Sequence, residues 1–261
     1  MSADRDRPPV LAVAQIAKAF GGVHAVRDVA LEVASGTVHS IIGPNGAGKT
    51  TLLNLLSGIT RADSGRIHFE ARELTRCETH EFAAAGIGRT FQNLQIFFNM
   101  TAAENVIVGG WLHQACSFFS ALLRTPSRIR AEREARAEAQ ALLEFVGLAR
   151  WADADADSLP YGALKRLEIA RALAGRPKLL LLDEPAAGLN PTETREIDEL
   201  IRRIAGRGVT VVLVEHNMKL VMEVSQRVLV LHEGRKLAEG EPRAVSEDPR
   251  VIEAYLGVEA C

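Results

Sequence analysis

The stretch GPNGAGKTT (residues 43–51) fits the pattern G-x-x-x-x-G-K-[ST], and it lies where this pattern has to lie in a protein chain. A β-rich run, TVHSII (37–42), ends at Gly43, and residues 49–57 have the pattern of a helix. Glycines in such a loop allow successive backbone N–H groups to face phosphate oxygens without a Cβ in the way. The sequence therefore predicts a phosphate-binding loop between a strand and a helix.

This loop offers three kinds of phosphate contact. Lys49 places a positive charge on the β- and γ-phosphates, and Thr50 supplies a hydroxyl for Mg²⁺. The N-terminus of the helix adds its dipole, which favours a bound anion. We expect the whole loop to bind the nucleotide: Gly43, Pro44, Asn45, Gly46, Ala47, Gly48, Lys49, Thr50 and Thr51.

Two acidic residues follow a second apolar run, KLLLLDEP (178–185). A buried strand that ends in carboxylates brings them to the carboxyl edge of the sheet, beside the phosphate-binding loop. Mg²⁺ prefers hard oxygen ligands and retains several waters, so Asp183 is predicted to hold the ion through those waters. Glu184, one residue later, is the candidate base that polarises a water aimed at the γ-phosphate.

The other apolar runs predict an α/β core. Runs at 179–182 and 209–214 are apolar throughout, as in a parallel sheet covered on both faces, and a helical stretch after Pro191 separates them. Residues 227–240 form a predicted hairpin with its turn at Glu233–Gly234. Further strands are predicted at 11–16, 29–33 and 65–69, the first two joined through a Gly21–Gly22 turn.

The segment from about 93 to 165 contains no convincing strand. A long helix with one apolar face is predicted from Ser127, as its N-cap, to near Gly147. Residues 106–123 are the most membrane-like, but they include glycines and polar side chains and fall short of about 20 consecutive apolar residues. We therefore expect an α/β core interrupted by a helical insertion, with no transmembrane segment.

Composition narrows the function classes. The chain has 261 residues, 47% hydrophobic and 25% charged, with a net charge of −2, so no general basic field argues for a nucleic-acid partner. The 3 cysteines are widely spaced without a CxxC pair, which excludes a disulfide framework or zinc site and indicates a reducing cytosol. The charged, Pro-rich start, MSADRDRPPV (1–10), is not a secretory signal.

Three more residues are candidates because of their positions. Gln92, in RTFQNLQIF (89–97), lies where the core gives way to the helical insertion, so it could contact both Mg²⁺ and a moving helical subdomain. His216 ends the run VVLVEH (211–216) and could reach a γ-phosphate oxygen, while Phe20 precedes the glycine turn and could stack on a base. Taken alone, each of these residue types is more often structural.

The series GPNGAGKTT, Gln92, LPYGALKR (159–166), LLLLDEPAAGLN (179–190) and His216, in that order, resembles the nucleotide-binding subunits of ATP-binding cassette (ABC) transporters. The resemblance covers essentially the whole chain. It implies a RecA-like P-loop NTPase core with an antiparallel β-subdomain and an inserted α-helical subdomain, the ABC ATPase fold. It also implies that two such subunits close head to tail over two ATPs, each held between one chain's phosphate loop and the other chain's signature turn.

The signature turn itself is a variant. SLPYGALKRLEIARAL (158–173) stands where the family usually has Leu-Ser-Gly-Gly-Gln, and Pro160 removes both a serine hydroxyl and a backbone donor. What remains is the N–H of Gly162 and the positive end of the following helix. By resemblance, Tyr161 and Gly162 contact the ATP of the partner chain, while Leu164 departs from the more usual Gln.

The pair YG followed by RLEIARAL resembles the Liv-type ATPases of bacterial branched-chain amino acid importers. Further stretches agree with it: GIGRTFQNLQIFFNMTAAENV (86–106), AAGLNPTET (186–194), VEHNM (214–218) and DPRVIEAYLG (248–257). The expected function is therefore that of the ATP-binding and ATP-hydrolysing subunit of a bacterial importer for branched-chain amino acids. Urea, short amides and other amino acids are the alternative substrates.

The resemblance also implies roles and partners. Lys49, Glu184 and His216 are expected to be catalytic, Thr50, Gln92 and Asp183 to bind Mg²⁺, and Phe20 to contact the ATP. The expected partners are membrane permease subunits, a second ATPase subunit (a paralogue or a copy of this chain) and, indirectly, an external substrate-binding protein. These partners would place the chain on the cytoplasmic face of the bacterial inner membrane. No nucleic acid is expected.

The expected domain organisation is a single ABC ATPase domain (10–261) after a flexible tail (1–9). Within it we expect a catalytic core (10–92 and 165–240), a helical subdomain (93–164) and a C-terminal helical tail (241–261).

Two other classes share the phosphate-binding loop. A non-transport ABC ATPase acting on ribosomes usually has two cassettes in one chain, and one acting on DNA has long coiled-coil insertions. This chain has one cassette and a modest helical insertion. A P-loop kinase or GTPase would not need a signature helix or a histidine after the last core strand.

Overall fold

The computed structural model describes residues 9–113 and 126–256 of the chain. The chain divides into two compact units. The first is formed by the chain up to Arg89 and from Lys178 onwards, and the second by Thr90–Pro177.

Within the described ranges, the strands all belong to the first unit. They are β1 (Pro9–Phe20), β2 (Val23–Ala34), β3 (Val38–Ile42), β4 (Ser64–Phe69), β5 (Arg72–Glu73), β6 (Ile87–Arg89), β7 (Leu179–Asp183), β8 (Thr210–Val214), β9 (Arg227–His232) and β10 (Arg235–Gly240).

The helices are divided between the units. The first unit contains α1 (Lys49–Leu56) and α2 (Thr79–Ala85), and the second contains α3 (Ala102–Gly109), α4 (Pro126–Phe145) and α5 (Tyr161–Ala174). The chain then returns to the first unit with α6 (Pro191–Gly206), α7 (Met218–Val224), α8 (Pro242–Ser246) and α9 (Pro249–Leu256).

A mixed sheet with the order β10-β9-β3-β8-β7-β6 forms the centre of the first unit. Strands β9, β3, β8, β7 and β6 are parallel, and β10 pairs antiparallel with β9 in the predicted hairpin. Every residue of β3, β7 and β8 is buried, which explains why β7 and β8 are apolar except at one end, whereas β3 also buries His39 and Ser40. Because the three strands are neighbours and parallel, the loops after Ile42, Asp183 and Val214 leave the sheet at one edge.

A second, antiparallel sheet has the order β2-β1-β4-β5. The predicted Gly21–Gly22 turn joins β1 and β2, but both strands are longer than their apolar runs because the hairpin continues with half-exposed residues. Helix α1 packs between the two sheets. Its four leucines, Leu52, Leu53, Leu55 and Leu56, are each at most 1% exposed and lie in one cluster with residues of both sheets. Burial of such a side chain contributes about 2 kcal/mol.

In the second unit, α3 packs against both α4 and α5. The approach of α3 to α5 is close, because a Cβ on Gly109 would lie 2.1 Å from the backbone oxygen of Arg171. Among the described residues of this unit there is no strand, only an isolated bridge between Thr101 and Asp155, as the sequence predicts.

The long predicted helix is α4, and its end at Phe145 agrees with the expected end near Gly147. Its predicted start is wrong: the helix begins at Pro126, so Ser127 lies inside the first turn and is not the N-cap. Proline is favoured at the first helical position because its fixed φ suits the helix and its missing N–H has no intrahelical partner there.

Capping sequences fix the starts of other helices. Thr101 accepts the N–H of Glu104 at the start of α3, and Glu104 accepts the N–H of Thr101 in return. At the start of α6, Asn190 accepts the N–H of Glu193 and its own N–H donates to the Glu193 carboxylate.

None of the helices in the described parts of the chain is long and apolar enough to cross a membrane. Of the membrane-like run 106–123, residues up to 109 belong to α3, and residues 114–123 lie outside the described residues.

Candidate functional site

The loop between β3 and α1 is held in place by two neighbouring chain segments. Gly43 has φ +150° and Gly48 has φ +98°. A Cβ on Gly43 would lie 2.1 Å from the carbonyl oxygen of Leu231, and one on Gly48 would lie 2.2 Å from that of Ala25. Glycine is therefore required at both positions by close backbone approach as well as by the left-handed backbone of Gly48.

Lys49 is a buried cation folded over this loop. Its side chain donates to the carbonyl oxygens of Gly43 at 2.8 Å and of Pro44 at 2.9 Å, and the residue is 6% exposed. Burial lowers the pKa of the Lys49 ammonium, and the negative charges of Glu184 and Asp183 oppose this shift. The lysine of the phosphate loop and the two acids after β7 therefore lie within electrostatic reach of one another.

Asp183, the last residue of β7, is paired with an arginine that the sequence did not single out. The Nη2 of Arg89 donates to Oδ2 of Asp183 at 3.2 Å, and the two side chains are 7% and 2% exposed. Arg89 also donates to the hydroxyl of Ser57 at 2.8 Å, just after α1. Burial lowers the pKa of the Arg89 guanidinium, and the charge of Asp183 opposes it. This pair keeps a charged carboxylate buried at the strand end.

Glu184 and His216 form a direct pair. The Nε2 of His216 lies 2.8 Å from Oε1 of Glu184, although the two residues are 32 positions apart. Glu184 has φ +48°, a conformation that is uncommon outside glycine. The side chain of His216 is 45% exposed and that of Glu184 is 14% exposed, so the pair lies at the surface of the site with one face open to water.

Glu215 was not singled out from the sequence as a functional residue. It is 4% exposed and accepts backbone N–H groups from Ala186, His216 and Asn217. Its position directly before His216, in a run that is otherwise apolar, was the signal that could have identified it.

The residues Thr50 and Asp183 suit a magnesium ion. Among the described residues, no group of three or more His, Cys, Asp and Glu side chains could hold a metal alone. Mg²⁺ needs few protein ligands, because waters and the substrate phosphates fill its other positions. One hydroxyl at the start of α1 and one carboxylate at the end of β7 are both hard oxygen donors, so the chemistry of the donor set fits.

Phe20 ends β1 beside the glycine turn, and the residue is 51% exposed. The ammonium of Lys18 lies 5.4 Å from the ring centroid. The hairpin that carries Phe20 approaches the phosphate loop through Ala25, whose carbonyl faces Gly48 and Gly234. An exposed aromatic face at this position is compatible with base stacking.

The remaining predicted site residues belong to the second unit. Gln92 lies near its start, and its backbone oxygen accepts a bond from the Lys165 ammonium at 3.2 Å. The neighbouring N–H of Phe91 donates to Glu168 at 3.2 Å. Lys165 and Glu168, which are 2% and 3% exposed, lie three residues apart on α5. The loop of Gln92 is thus attached to α5, the helix that follows the signature turn and is called the signature helix below. The attachment uses the buried charged residues Lys165 and Glu168, which were not identified from the sequence.

Tyr161 and Gly162 begin α5, with Pro160 as the N-cap. The N–H groups of Ala163 and Leu164 donate to the oxygen of Pro160, at 2.9 Å and 3.0 Å. Tyr161 is 46% exposed, and Gly162 is buried in the described structure. The helix therefore starts at the predicted signature turn, so its first N–H groups lie there.

The first unit thus assembles the loop 43–51, Asp183, Glu184 and His216 at one edge of the central sheet. The second unit carries Gln92, Tyr161 and Gly162.

Comparisons with known proteins identify the family. A family model described as "ABC transporter" matches residues 26–187. A second, described as "Branched-chain amino acid ATP-binding cassette transporter", matches residues 235–261, which include β10, α8 and α9.

The chain is also similar to named relatives. It is 45% identical over 250 residues to the high-affinity branched-chain amino acid transport ATP-binding protein BraF of Pseudomonas aeruginosa, covering 95% of this chain and 98% of that protein. It is 44% identical over 250 residues, with the same coverage, to the corresponding protein LivG of Escherichia coli K12.

Solved structures give the same result. A nucleotide-free ATP-binding cassette from an ABC transporter matches with a TM-score of 0.83 and 35% identity, over 95% of this chain and 98% of that one. A dimeric ATP-binding cassette in a post-hydrolysis state, bound to ADP and Pi, matches with a TM-score of 0.76 and 25% identity, over 89% of this chain and 99% of that one. The expected ABC ATPase fold is confirmed, and the chain belongs to the ABC transporter family, as one of its ATP-binding cassettes.

Proposed function

We propose that the chain is the ATP-hydrolysing subunit of a bacterial importer for branched-chain amino acids. The substrate class is supported by the relatives BraF and LivG, whose names specify branched-chain amino acid transport, and by the match of the C-terminal segment. ATP hydrolysis is supported above all by one observation. The Nε2 of His216 lies 2.8 Å from Oε1 of Glu184, the residue that directly follows Asp183.

The phosphate loop binds and orients the ATP. Lys49 releases its contacts with Gly43 and Pro44 and pairs with the β- and γ-phosphates, while the N–H groups at the start of α1 face the phosphate oxygens. Phe20 stacks on the base. These contacts position the γ-phosphate in front of Glu184, and positioning supplies much of the rate in phosphoryl transfer.

Glu184 orients the attacking water and accepts its proton, and His216 holds both Glu184 and an oxygen of the γ-phosphate. Magnesium, held by Thr50, Asp183 and Gln92, would neutralise charge on the β- and γ-phosphates. Asp183 is the last residue of β7 and Glu184 begins the turn that follows, so the two roles belong to residues with different backbone conformations.

The working unit is a head-to-tail dimer in which Tyr161 and Gly162 contact the ATP bound by the partner subunit. The dimeric cassette bound to ADP and Pi supports this arrangement. The segment 93–164, as the helical subdomain, and the loop of Gln92 pass the closing motion to separate permease subunits. The contacts of Lys165 and Glu168 with that loop support a mechanical link between the signature helix and Gln92.

These partners place the chain at the cytoplasmic face of the bacterial inner membrane, attached through the permease. An external binding protein delivers the amino acid on the other side.

The test is purification of the chain from its native membrane, identification of the co-purifying subunits, and reconstitution of the assembly in vesicles. Addition of the binding protein with leucine, isoleucine or valine should stimulate ATP turnover, whereas urea and acetamide should not. An assembly containing Glu184→Gln is the control for unrelated ATPases. Stimulation by urea or an amide alone would overturn the substrate class, and the absence of any co-purifying membrane subunit would overturn the role in import.

A further inference from the structure

Glu215 is a buried carboxylate to which the chemistry above gives no role. It follows Val214, the last residue of β8, and precedes His216. Burial raises the pKa of Glu215, bonds from three backbone N–H groups lower it, and the nearby charge of Glu184 raises it. A buried carboxylate is stable only when hydrogen-bond donors surround it. The donors around Glu215 therefore show which parts of the chain it connects.

These donors come from two different loops. Oε1 of Glu215 accepts the N–H of Ala186 at 2.9 Å, and Ala186 lies two residues after Glu184. Oε2 accepts the N–H of His216 at 3.1 Å and that of Asn217 at 3.4 Å. One carboxylate therefore joins the loop that follows β7 to the loop that follows β8.

Two other contacts join the same loops. The N–H of Glu184 donates to the carbonyl of Val214 at 2.9 Å, and the side chain of Glu184 meets His216. The turn also closes on itself, since the N–H of Ala187 donates to the carbonyl of Glu184 at 3.1 Å. The bond from Ala186 to Glu215 thus attaches the far side of this turn to the loop that follows β8.

The turn needs such an attachment. A non-glycine residue with φ +48°, as at Glu184, persists where the surrounding contacts fix the backbone. If the bond to Glu215 were lost, the turn could relax, and the carboxylate of Glu184 would move away from His216.

We propose that Glu215 is a positioning residue for ATP hydrolysis, which holds the loop of Glu184 against the loop of His216 so that the two side chains stay paired. The proposal rests on the roles proposed above for Glu184 and His216. The proposal predicts that Glu215 affects the rate of ATP turnover and not the affinity for ATP. The described contacts of Glu215 are with these two loops and not with the loop 43–51.

Two substitutions of Glu215 distinguish the effect of joining the two loops from the effect of its negative charge. Glu215→Gln keeps the size of the side chain but leaves one acceptor oxygen for the donors of two loops. Glu215→Asp keeps the charge but is one methylene shorter and cannot reach both loops. Each should lower kcat of the assembled transporter about 10- to 100-fold, the loss expected for hydrogen bonds to a charged group. KM for ATP, and the ADP affinity of the isolated chain, should stay within about twofold of the wild-type values.

Asp198 provides a matched control. It lies on α6, is 6% exposed, and its Oδ1 is buried with no hydrogen-bond partner among the described residues. Burial raises the pKa of Asp198, and the charge of Glu215 contributes to the shift, so the two carboxylates are neighbours. Asp198→Asn removes a buried charge from the same region without removing a bond to either loop, and turnover should stay within about twofold of the wild-type value.

The outcomes distinguish this proposal from the proposed function. If Glu184→Gln and His216→Ala abolish turnover while Glu215→Gln hydrolyses ATP at the wild-type rate, the proposal is wrong and the proposed function stands. Full turnover in Glu215→Asp would show that charge, and not bridging, matters. A fall in nucleotide affinity and melting temperature together, without a specific fall in kcat, would show a purely structural role. Near-normal hydrolysis in Glu184→Gln would instead overturn the proposed function.

Discussion

At the residue scale, Lys49 combines burial with a positive charge, and this combination makes it sensitive to substitution. Lys49→Ala should weaken ATP binding about 10- to 100-fold, because a charge-assisted contact with the phosphates is lost. The measurement is a nucleotide titration of the isolated chain, with Glu184→Gln as the variant that should bind ATP normally. Unchanged ATP affinity in Lys49→Ala would mean that the loop 43–51 does not bind the phosphates as proposed.

His39 is a second residue whose burial has a measurable consequence. It lies on β3, is 1% exposed, and its Nε2 is 4.0 Å from the carboxylate of Glu239. Burial lowers the pKa of His39 from 6.5 to about 4; Glu239 opposes the shift, and Arg227 and Lys236 add to it. The folded protein therefore holds this imidazole neutral in a pH range where the unfolded chain protonates it.

The sign of the pH dependence follows from this difference. Above pH 6.5 the contribution of His39 to the free energy of unfolding is fully present, and it is lost as the pH falls towards 4. Between pH 7.5 and pH 5 the loss amounts to about 2 kcal/mol. Denaturant unfolding at the two pH values should show that His39→Gln loses less stability than the wild-type chain, whereas His24→Gln, at an exposed site on β2, should not differ from it. Equal losses in wild type and His39→Gln would contradict this prediction.

The residues of the site were predictable to different degrees. Lys49, Asp183, Glu184 and His216 could be predicted because each stands at a strand end or in a loop with a recognisable local pattern. Arg89 could not, because it meets Asp183 across 94 positions. Glu215 could be noticed as a polar residue in an otherwise apolar run, but its bond to Ala186, 29 positions away, could not be predicted. Such a pairing depends on which strands are neighbours in the sheet, and local sequence does not contain that information.

At the scale of elements, the proposed function assigns the contact with the partner's nucleotide to the start of α5. Gly162→Asp adds a Cβ and a negative charge at the helix start that, in the proposed dimer, faces that phosphate. Turnover of the assembled transporter should be lost, while ATP binding to the isolated chain stays intact, because this turn serves the nucleotide on the other subunit. The two measurements are paired: nucleotide affinity of the chain alone, then turnover of the assembly.

Pro160→Ser is the companion variant at the same helix start. Serine is a preferred N-cap residue and restores a backbone donor, so hydrolysis should be unchanged or raised. If Gly162→Asp leaves turnover untouched, the turn is only a helix start, and the partner's ATP is held by other residues.

The elements themselves were largely predictable. The buried strands β7 and β8 are short, almost entirely apolar runs bounded by polar residues, and β3 is a β-rich run that ends at Gly43, so their positions follow from sequence. Helices α2 and α7 and strands β5 and β6 were missed. The two helices are 7 residues long each, and the strands are 2 and 3 residues long, too short to show a clear periodicity. Strand β6 forms by pairing with β7, and α2 packs against β6 and ends at the glycine after Ala85, which has φ +107°.

At the scale of the whole molecule, the chain combines an α/β unit that carries the phosphate loop and both acids with a helical unit that carries Gln92 and the signature turn. The sequence predicted a helical insertion at 93–164 because no convincing strand occurs there, and the second unit runs from Thr90 to Pro177. It also predicted the family, since the order of the motifs is specific. The assignment of the transported substrate rests on the family match alone, because no residue of this chain need contact the substrate.

The most direct test of ATP hydrolysis by this site is the turnover of the assembled transporter carrying Glu184→Gln, measured together with its ATP binding. Loss of the base should lower the rate about 100- to 10,000-fold while ATP still binds and holds the dimer closed, because the phosphate loop is unchanged. Size-exclusion chromatography of the variant with ATP would detect the closed dimer. Near-normal hydrolysis in Glu184→Gln would contradict the assignment of Glu184 as the base and, with it, the proposed organisation of the site.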